Sequence, residues 1–149
     1  MTGVQTCALP ISAALGVNVS LYPKLNYDPV KDFVPVALFA TSPNLLLVHP
    51  SYPAKTVREF IAVAKKKGTR LNFSSSGSGS TQHLSGEMLK LVLGADMTHI
   101  PYKGSSGART DIVGGQVDVM FDAETTMAEF ARNGQVRMLG STEIGRAHV

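Results

Sequence analysis

Leu71–Leu84 reads LNFSSSGSGSTQHL, and this stretch decides the fold. An apolar start runs into eight consecutive residues drawn only from Ser, Gly and Thr, and then into a helical pattern. That order is a strand, a tight turn and a helix N-terminus. The same alternation continues on both sides. Upstream, Phe33–Ala40 (FVPVALFA) and Asn44–Pro50 (NLLLVHP) read as strands. The second is a near-continuous apolar run, as expected of a strand covered on both faces. Between it and the Ser/Gly turn, Thr56 and Glu59 form a capping-box pair, and Val57, Phe60, Ile61 and Ala64 recur at helical spacing. Lys65, Lys66 and Lys67 close that helix, and Gly68 stops it.

Downstream, a helix from about Ser80 to Leu93 carries Leu84, Met88, Leu91 and Val92 as its expected buried stripe, and Gly94 ends it. Met97–Tyr102 is the next strand, followed by a second small-residue turn, KGSSG, and a helix near Ser106–Val113. Gln116–Asp122 is a strand, Thr125–Asn133 a helix and Val136–Gly140 a strand. From His49 onward helices connect the strands, so a parallel, doubly wound α/β sheet is the economical architecture.

Composition excludes several classes of function. The chain is 44% hydrophobic with a formal charge of +3, which implies no strongly charged partner and no nucleic acid. Its single cysteine, Cys7, lies in the first eleven residues. Disulfides, zinc thiolates and a cysteine nucleophile are thus excluded from the rest. No His/Asp/Glu set has metal-ligand spacing. No apolar run approaches the roughly 20 residues that span a bilayer.

The two ends break the pattern. Residues 1–11 (MTGVQTCALPI) carry no charge, and residues 143–149 (EIGRAHV) follow nothing set up before them. Read back as codons, both resemble opposite-strand translations of one sequencing-library adapter. A secretory signal fits the opening poorly, because a basic start and a long apolar core are missing. The expected organisation is therefore 1–11 and 143–149 as non-native ends, 12–42 as the remnant of one lobe with a crossover, and 43–142 as a second lobe.

In an open α/β sheet, strand-to-helix turns lie at the carboxyl edge, where such folds place ligands. Glycines in the turn let backbone approach a ligand closely, and the first helical N–H groups are unpaired at the positive end of the dipole. Ser76, Ser78, Ser80 and Thr81 add hydroxyls, so a carboxylate is the natural guest. The plainer reading is that Ser80 only caps a helix. The turn lacks the Gly-Lys of a phosphate-binding loop, the third glycine of a dinucleotide turn and the G-x-S-x-G of a nucleophile elbow, so no cofactor is expected. His83, one turn into the helix, either points at the ligand or bonds back to the loop. His49 and His99 read as structural. Asp122 ends its strand, either facing the crevice, where it suits a ligand amino or hydroxyl group, or capping the next helix.

Several long stretches resemble one family in order: SLYPKLNYDPVKDFVPV (Ser20–Val36), PNLLLVHPS (Pro43–Ser51), PAKTVREFIAVAK (Pro53–Lys65), SSGSGSTQHLSGE (Ser75–Glu87), HIPYKGSSGARTDIVGGQVDVMFD (His99–Asp122) and NGQVRMLGST (Asn133–Thr142). The family is that of the extracytoplasmic solute-binding (Bug) proteins of tripartite tricarboxylate transporters. The resemblance implies a type II periplasmic binding protein fold whose two lobes close on a small organic acid or amino acid and deliver it to membrane permease subunits. It implies a periplasmic location, no cofactor and no catalysis. It implies a carboxylate clamp at Ser76, Gly77, Ser78, Gly79, Ser80, Thr81, Gln82 and His83, a neighbouring turn at Tyr102, Lys103 and Gly104, and a cleft-edge Asp122. Gly107 stands where members commonly have Pro, which loosens that helix start. The first lobe's opposing Gly-rich turn is not in this sequence, so the stretch alone is expected to bind its solute weakly or not at all. Two other readings are a ligand-sensing module of the same fold and an α/β hydrolase using Ser80 and His83.

Overall fold

The computed structural model describes residues 16–34, 37 and 42–142. The chain divides into two units, Met1–Phe39 and Ala40–Val149. In the first, α1 (Asn18–Leu21) is a single turn. Further on, the Asp28 carboxylate accepts N–H bonds from Val30 and Lys31 at 3.0 and 3.2 Å, which hold its pKa below the usual value. The strand expected at Phe33–Ala40 falls largely outside the described residues.

The second unit runs β1 (Asn44–Val48), α2 (Val57–Ala64), β2 (Arg70–Ser75), α3 (Thr81–Leu93), β3 (Asp96–Pro101), α4 (Ser105–Val113), β4 (Val119–Ala123), α5 (Glu124–Arg132) and β5 (Arg137–Ser141). The sheet order is β3-β2-β4-β1-β5. Strand β2 is parallel to β3 and β4, whereas β1 is antiparallel to both β4 and β5. The parallel expectation thus holds for the four strands after His49. Strand β1 is reversed between two of them, a direction that an all-apolar strand does not announce.

Alternation along the strands gives the sheet two cores. Leu46, Val48, Phe73, Val119 and Phe121 pack under α2 and α3, with Phe60 and Ala64 of α2. Leu45, Leu47 and Met120 pack on the opposite face with Ala108 and Ile112 of α4 and Met127 of α5. Helix α2 starts with one half of the expected capping box: Thr56 Oγ1 accepts from Glu59 N at 3.2 Å, while the Glu59 carboxylate reaches one residue further back and accepts from Lys55 N at 2.6 Å. It ends at Ala64, so the three lysines lie in the turn that follows rather than in its last turn.

Helix α3 corrects one expectation. Leu84, Met88, Leu91 and Val92 are exposed, the last three by 66%, 79% and 78%. The face turned inward carries Gln82, Gly86 and Leu93, with Leu89 against the core. Gly86 is the reason. A Cβ there would lie 2.2 Å from the Phe73 ring, so its absence lets α3 settle directly on β2. The rotation also takes Gln82 inside, where it finds polar partners.

Candidate functional site

Strands β2, β3 and β4 end at one edge and pass directly into α3, α4 and α5. The first two connections are the Ser/Gly turn and the Tyr102–Gly104 turn, and backbone hydrogen bonds join them. Tyr102 N donates to Ser75 O and Gly104 N to Ser76 O, both at 3.0 Å. Gly77, Gly79 and Gly104 have φ of +139°, +82° and +107°, values at which a side chain is strained, so glycine is required at all three.

Much of the donor set expected for a ligand is engaged internally. Ser76 N donates to Gln82 Oε1 at 2.8 Å, Gly77 N to Ser75 Oγ at 3.1 Å and Gly79 N to His83 Nδ1 at 3.1 Å. Ser80 N donates to Gly77 O, and Ser80 Oγ accepts from His83 N at 3.2 Å as the α3 cap. The backbone N–H groups of Ser78, Thr81 and Gln82 on one turn, and of Lys103, Ser105 and Ser106 on the other, have no partner among the described residues. They are the first N–H groups of two adjacent helices plus one from each turn. The Ser78 and Thr81 side chains and the Lys103 ammonium are exposed beside them. Gly104 caps α4 without a side-chain bond. The arrangement presents fixed donors and one cation, which is the equipment for holding an anion.

Beneath the turns runs a buried polar chain. Gln82 Nε2 donates to Asp122 Oδ1 at 2.7 Å and lies 3.5 Å from Ser105 Oγ. Asp122 Oδ1 also accepts from Ala123 N at 2.8 Å, and Oδ2 takes Arg109 Nε at 2.5 Å. Arg109 Nη2 reaches Thr126 Oγ1 at 3.1 Å. Asp122 is only 2% exposed, and these bonds occupy both its oxygens. The structure therefore favours neither the crevice-facing nor the simple capping reading of Asp122: its carboxylate ties α3, α4 and β4 together from below. Arg109 escaped the sequence reading. The signal was available, because a carboxylate that directly follows the apolar run Val119–Phe121 calls for a charge partner when it is buried.

His83 takes the second of its two expected roles, bonding back to the loop through Gly79. Its ring stacks on His99, with centroids 4.0 Å apart, and His99 Nε2 lies 2.6 Å from Ser75 Oγ. Burial and, next, the charge of His83 hold the His99 pKa below the ordinary imidazole value. Tyr102 donates its hydroxyl to Asp111, and that bond, with burial, pushes its pKa up to about 12. Gly107 packs against the same ring, where an added Cβ would lie 3.1 Å from Cδ1. His49 pairs with Ser51 Oγ at 2.6 Å, away from the turns. Among the described residues, no group of three or more His, Cys, Asp or Glu side chains is placed to hold a metal ion. None of their helices is long and apolar enough to cross a membrane. A groove of about 580 Å³ lies between α5 and β5, lined by Leu45, Ala131, Arg132, Val136 and Met138, and contains no residue of either turn.

Residues 6–148 match the model of one family, described as the tripartite tricarboxylate transporter family receptor. The chain belongs to this family. Its members are periplasmic solute-binding receptors and not enzymes. Ser80 Oγ caps α3 and His83 Nδ1 accepts from Gly79 N, so these two atoms are not paired with each other as a nucleophile and base. A curated relative from Pseudomonas sp. strain P51, the UPF0065 protein in the tcbD-tcbE intergenic region, is 35% identical over 91% of this chain and 40% of its own length. Two solved structures from Rhodopseudomonas palustris are each 36% identical. MatC with bound malate aligns at TM-score 0.77 over 90% of this chain and 46% of its own. Rpa4515 with adipate aligns at TM-score 0.75 over 84% of this chain and 42% of its own. These receptors share the fold, and this chain spans about two fifths of the curated relative's length.

Proposed function

We propose that this chain supplies one lobe of a receptor that binds a small dicarboxylate in the periplasm and presents it to the membrane subunits of a tripartite transporter. The observation that carries the reading is the pair of adjacent turns with unpaired N–H groups at Ser78, Thr81, Gln82, Lys103, Ser105 and Ser106. One ligand carboxylate sits there, held by charge-assisted hydrogen bonds worth about 1.5–3 kcal/mol each and by Lys103. The malate and adipate bound to two relatives have the matching chemistry. Ser76, Gly77, Gly79, Ser80, Gln82 and His83 shape the turn through their internal bonds. Tyr102 and Gly104 join it to its neighbour, and Asp122 acts from below, through Gln82 and Arg109. The Asp122 carboxylate, which would suit a ligand amino group, is already engaged by Gln82, Arg109 and Ala123 N, so an unsubstituted or hydroxylated diacid is favoured over an amino acid.

Proline at Thr81 tests the site. Thr81 is the first residue of α3, where proline is tolerated, and Ser80 already has the extended conformation that precedes proline (φ −66°, ψ 159°). The substitution deletes one proposed donor and leaves the helix intact. Thr81→Pro is expected to weaken malate binding about tenfold or more, measured by calorimetry on the longest chain that contains this lobe. Unchanged affinity in a folded variant contradicts the reading.

A further inference from the structure

His83 reaches back from the first turn of α3 to the turn that precedes it. Gly79 N lies 3.1 Å from its Nδ1, and a backbone N–H only donates, so Nδ1 holds the lone pair and the ring proton is on Nε2. Nε2 faces Glu87 Oε1 at 4.0 Å. The ring stacks on His99, which in turn meets Ser75 Oγ at 2.6 Å, and Ser75 Oγ accepts from Gly77 N. Phe73 lies parallel beside both rings, with centroids 6.4 Å from His83 and 4.9 Å from His99. An imidazole therefore stands at each end of the turn. Gly79 is buried, so its N–H has no water to turn to if Nδ1 is lost.

We propose that His83 is a positioning residue for the ligand turn, fixing Gly79 through an unprotonated Nδ1, so that the turn keeps this conformation only while the imidazole is neutral. A proton on Nδ1 sets two N–H groups against each other, and the turn has to move to relieve them. The charged and titratable groups facing the ring are Glu87 and Lys90 from α3 and His99 from β3. Burial and the charge of His83 disfavour a proton on His99, while Glu87 favours it and Lys90 opposes it. The consequence for affinity rests on the carboxylate reading of the turn; the hold on Gly79 does not.

The test is nitrogen NMR of the whole 149-residue chain without ligand, from about pH 8 to about pH 5, which spans ordinary imidazole titration. The imidazole signals report the His83 tautomer, and amide exchange reports the Gly79 N–H. The expected result is the Nε2–H tautomer at high pH. Gly79 protection, corrected for intrinsic exchange, then falls at least about tenfold with the same midpoint as His83 protonation. His83→Gln, whose amide oxygen accepts but does not titrate, is expected to keep Gly79 protected throughout. An Nδ1–H tautomer, Gly79 protection indifferent to His83 titration, or the same pH dependence in His83→Gln overturns the proposal. If the variant fails to fold, the tautomer and midpoint of the natural sequence decide. Loss of malate affinity at that midpoint adds support. Absence of malate binding at every pH, with the tautomer and midpoint as stated, supports the hold on Gly79 and overturns the carboxylate reading instead.

Discussion

At the scale of single residues, the site is built from groups whose polar atoms serve one another before they serve a ligand. Tyr102 shows this most measurably. Its hydroxyl donates to Asp111, and the bond raises its pKa to about 12 from 10.0. The neutral phenol is favoured in the folded state, so the contribution to stability is full below about pH 10 and is lost as pH rises through about 12. Tyrosinate absorbance is expected to show two late-titrating residues, Tyr52, raised by burial and the Asp118 charge, and Tyr102, and Asp111→Asn is expected to move only Tyr102 down toward the ordinary range. A titration of Tyr102 near 10 in the unaltered chain contradicts this. The residue types of the turn were legible in the sequence, because Ser, Gly and Thr in a run before a helix have few other uses. Their division of labour was not. SSSGSGST alone does not tell which N–H groups are engaged internally, since two of the acceptors, Gln82 Oε1 and His83 Nδ1, lie beyond it in the first turn of α3.

At the scale of elements, α3 is the instructive case. Leu84, Met88, Leu91 and Val92 read as a buried stripe, yet the helix settles on the sheet through Gly86 and Gln82. Apolar residues on more than one face leave periodicity undecided, and the close approach of Gly86 to Phe73, with buried partners for Gln82, then selects the face. Gly86→Ala forces a Cβ into the Phe73 ring and is expected to destabilise the fold by roughly 1–3 kcal/mol, measured by urea denaturation. A neutral result removes the reason given for the orientation of α3. The Arg109–Asp122 pair belongs to the same scale, because it fastens α4 to β4 and, through Gln82 and Thr126, to α3 and α5. Arg109→Leu leaves a buried carboxylate with neutral donors only and is expected to cost about 3 kcal/mol. Arg109→Leu with Asp122→Asn is expected to recover a substantial part of that loss. No recovery shows that the arginine acts through packing rather than charge. Arg137 plays a similar part on the far side, where it donates to the carbonyls of Pro50, Tyr52 and Ala54 at 2.9–3.0 Å and pins the connection from β1 to α2.

At the scale of the whole molecule, the alternation of strands and helices after His49 was enough to give the α/β class and the edge at which the two donor turns lie. The reversed β1 and its place between β4 and β5 were not legible, because strand direction is set by partners that the strand's own residues do not name. The chain carries one pair of donor turns and spans about two fifths of a curated relative's length, so it is expected to hold a diacid by one end and weakly. The most direct test is an NMR titration of malate into the isotope-labelled chain, following every backbone amide. The account predicts shifts that begin only at roughly millimolar malate, the free energy of a few charge-assisted bonds, centred on the Ser78, Thr81, Gln82, Lys103, Ser105 and Ser106 amides. Shifts centred on the groove between α5 and β5, or no shift in any of those six amides at saturating malate, would contradict it.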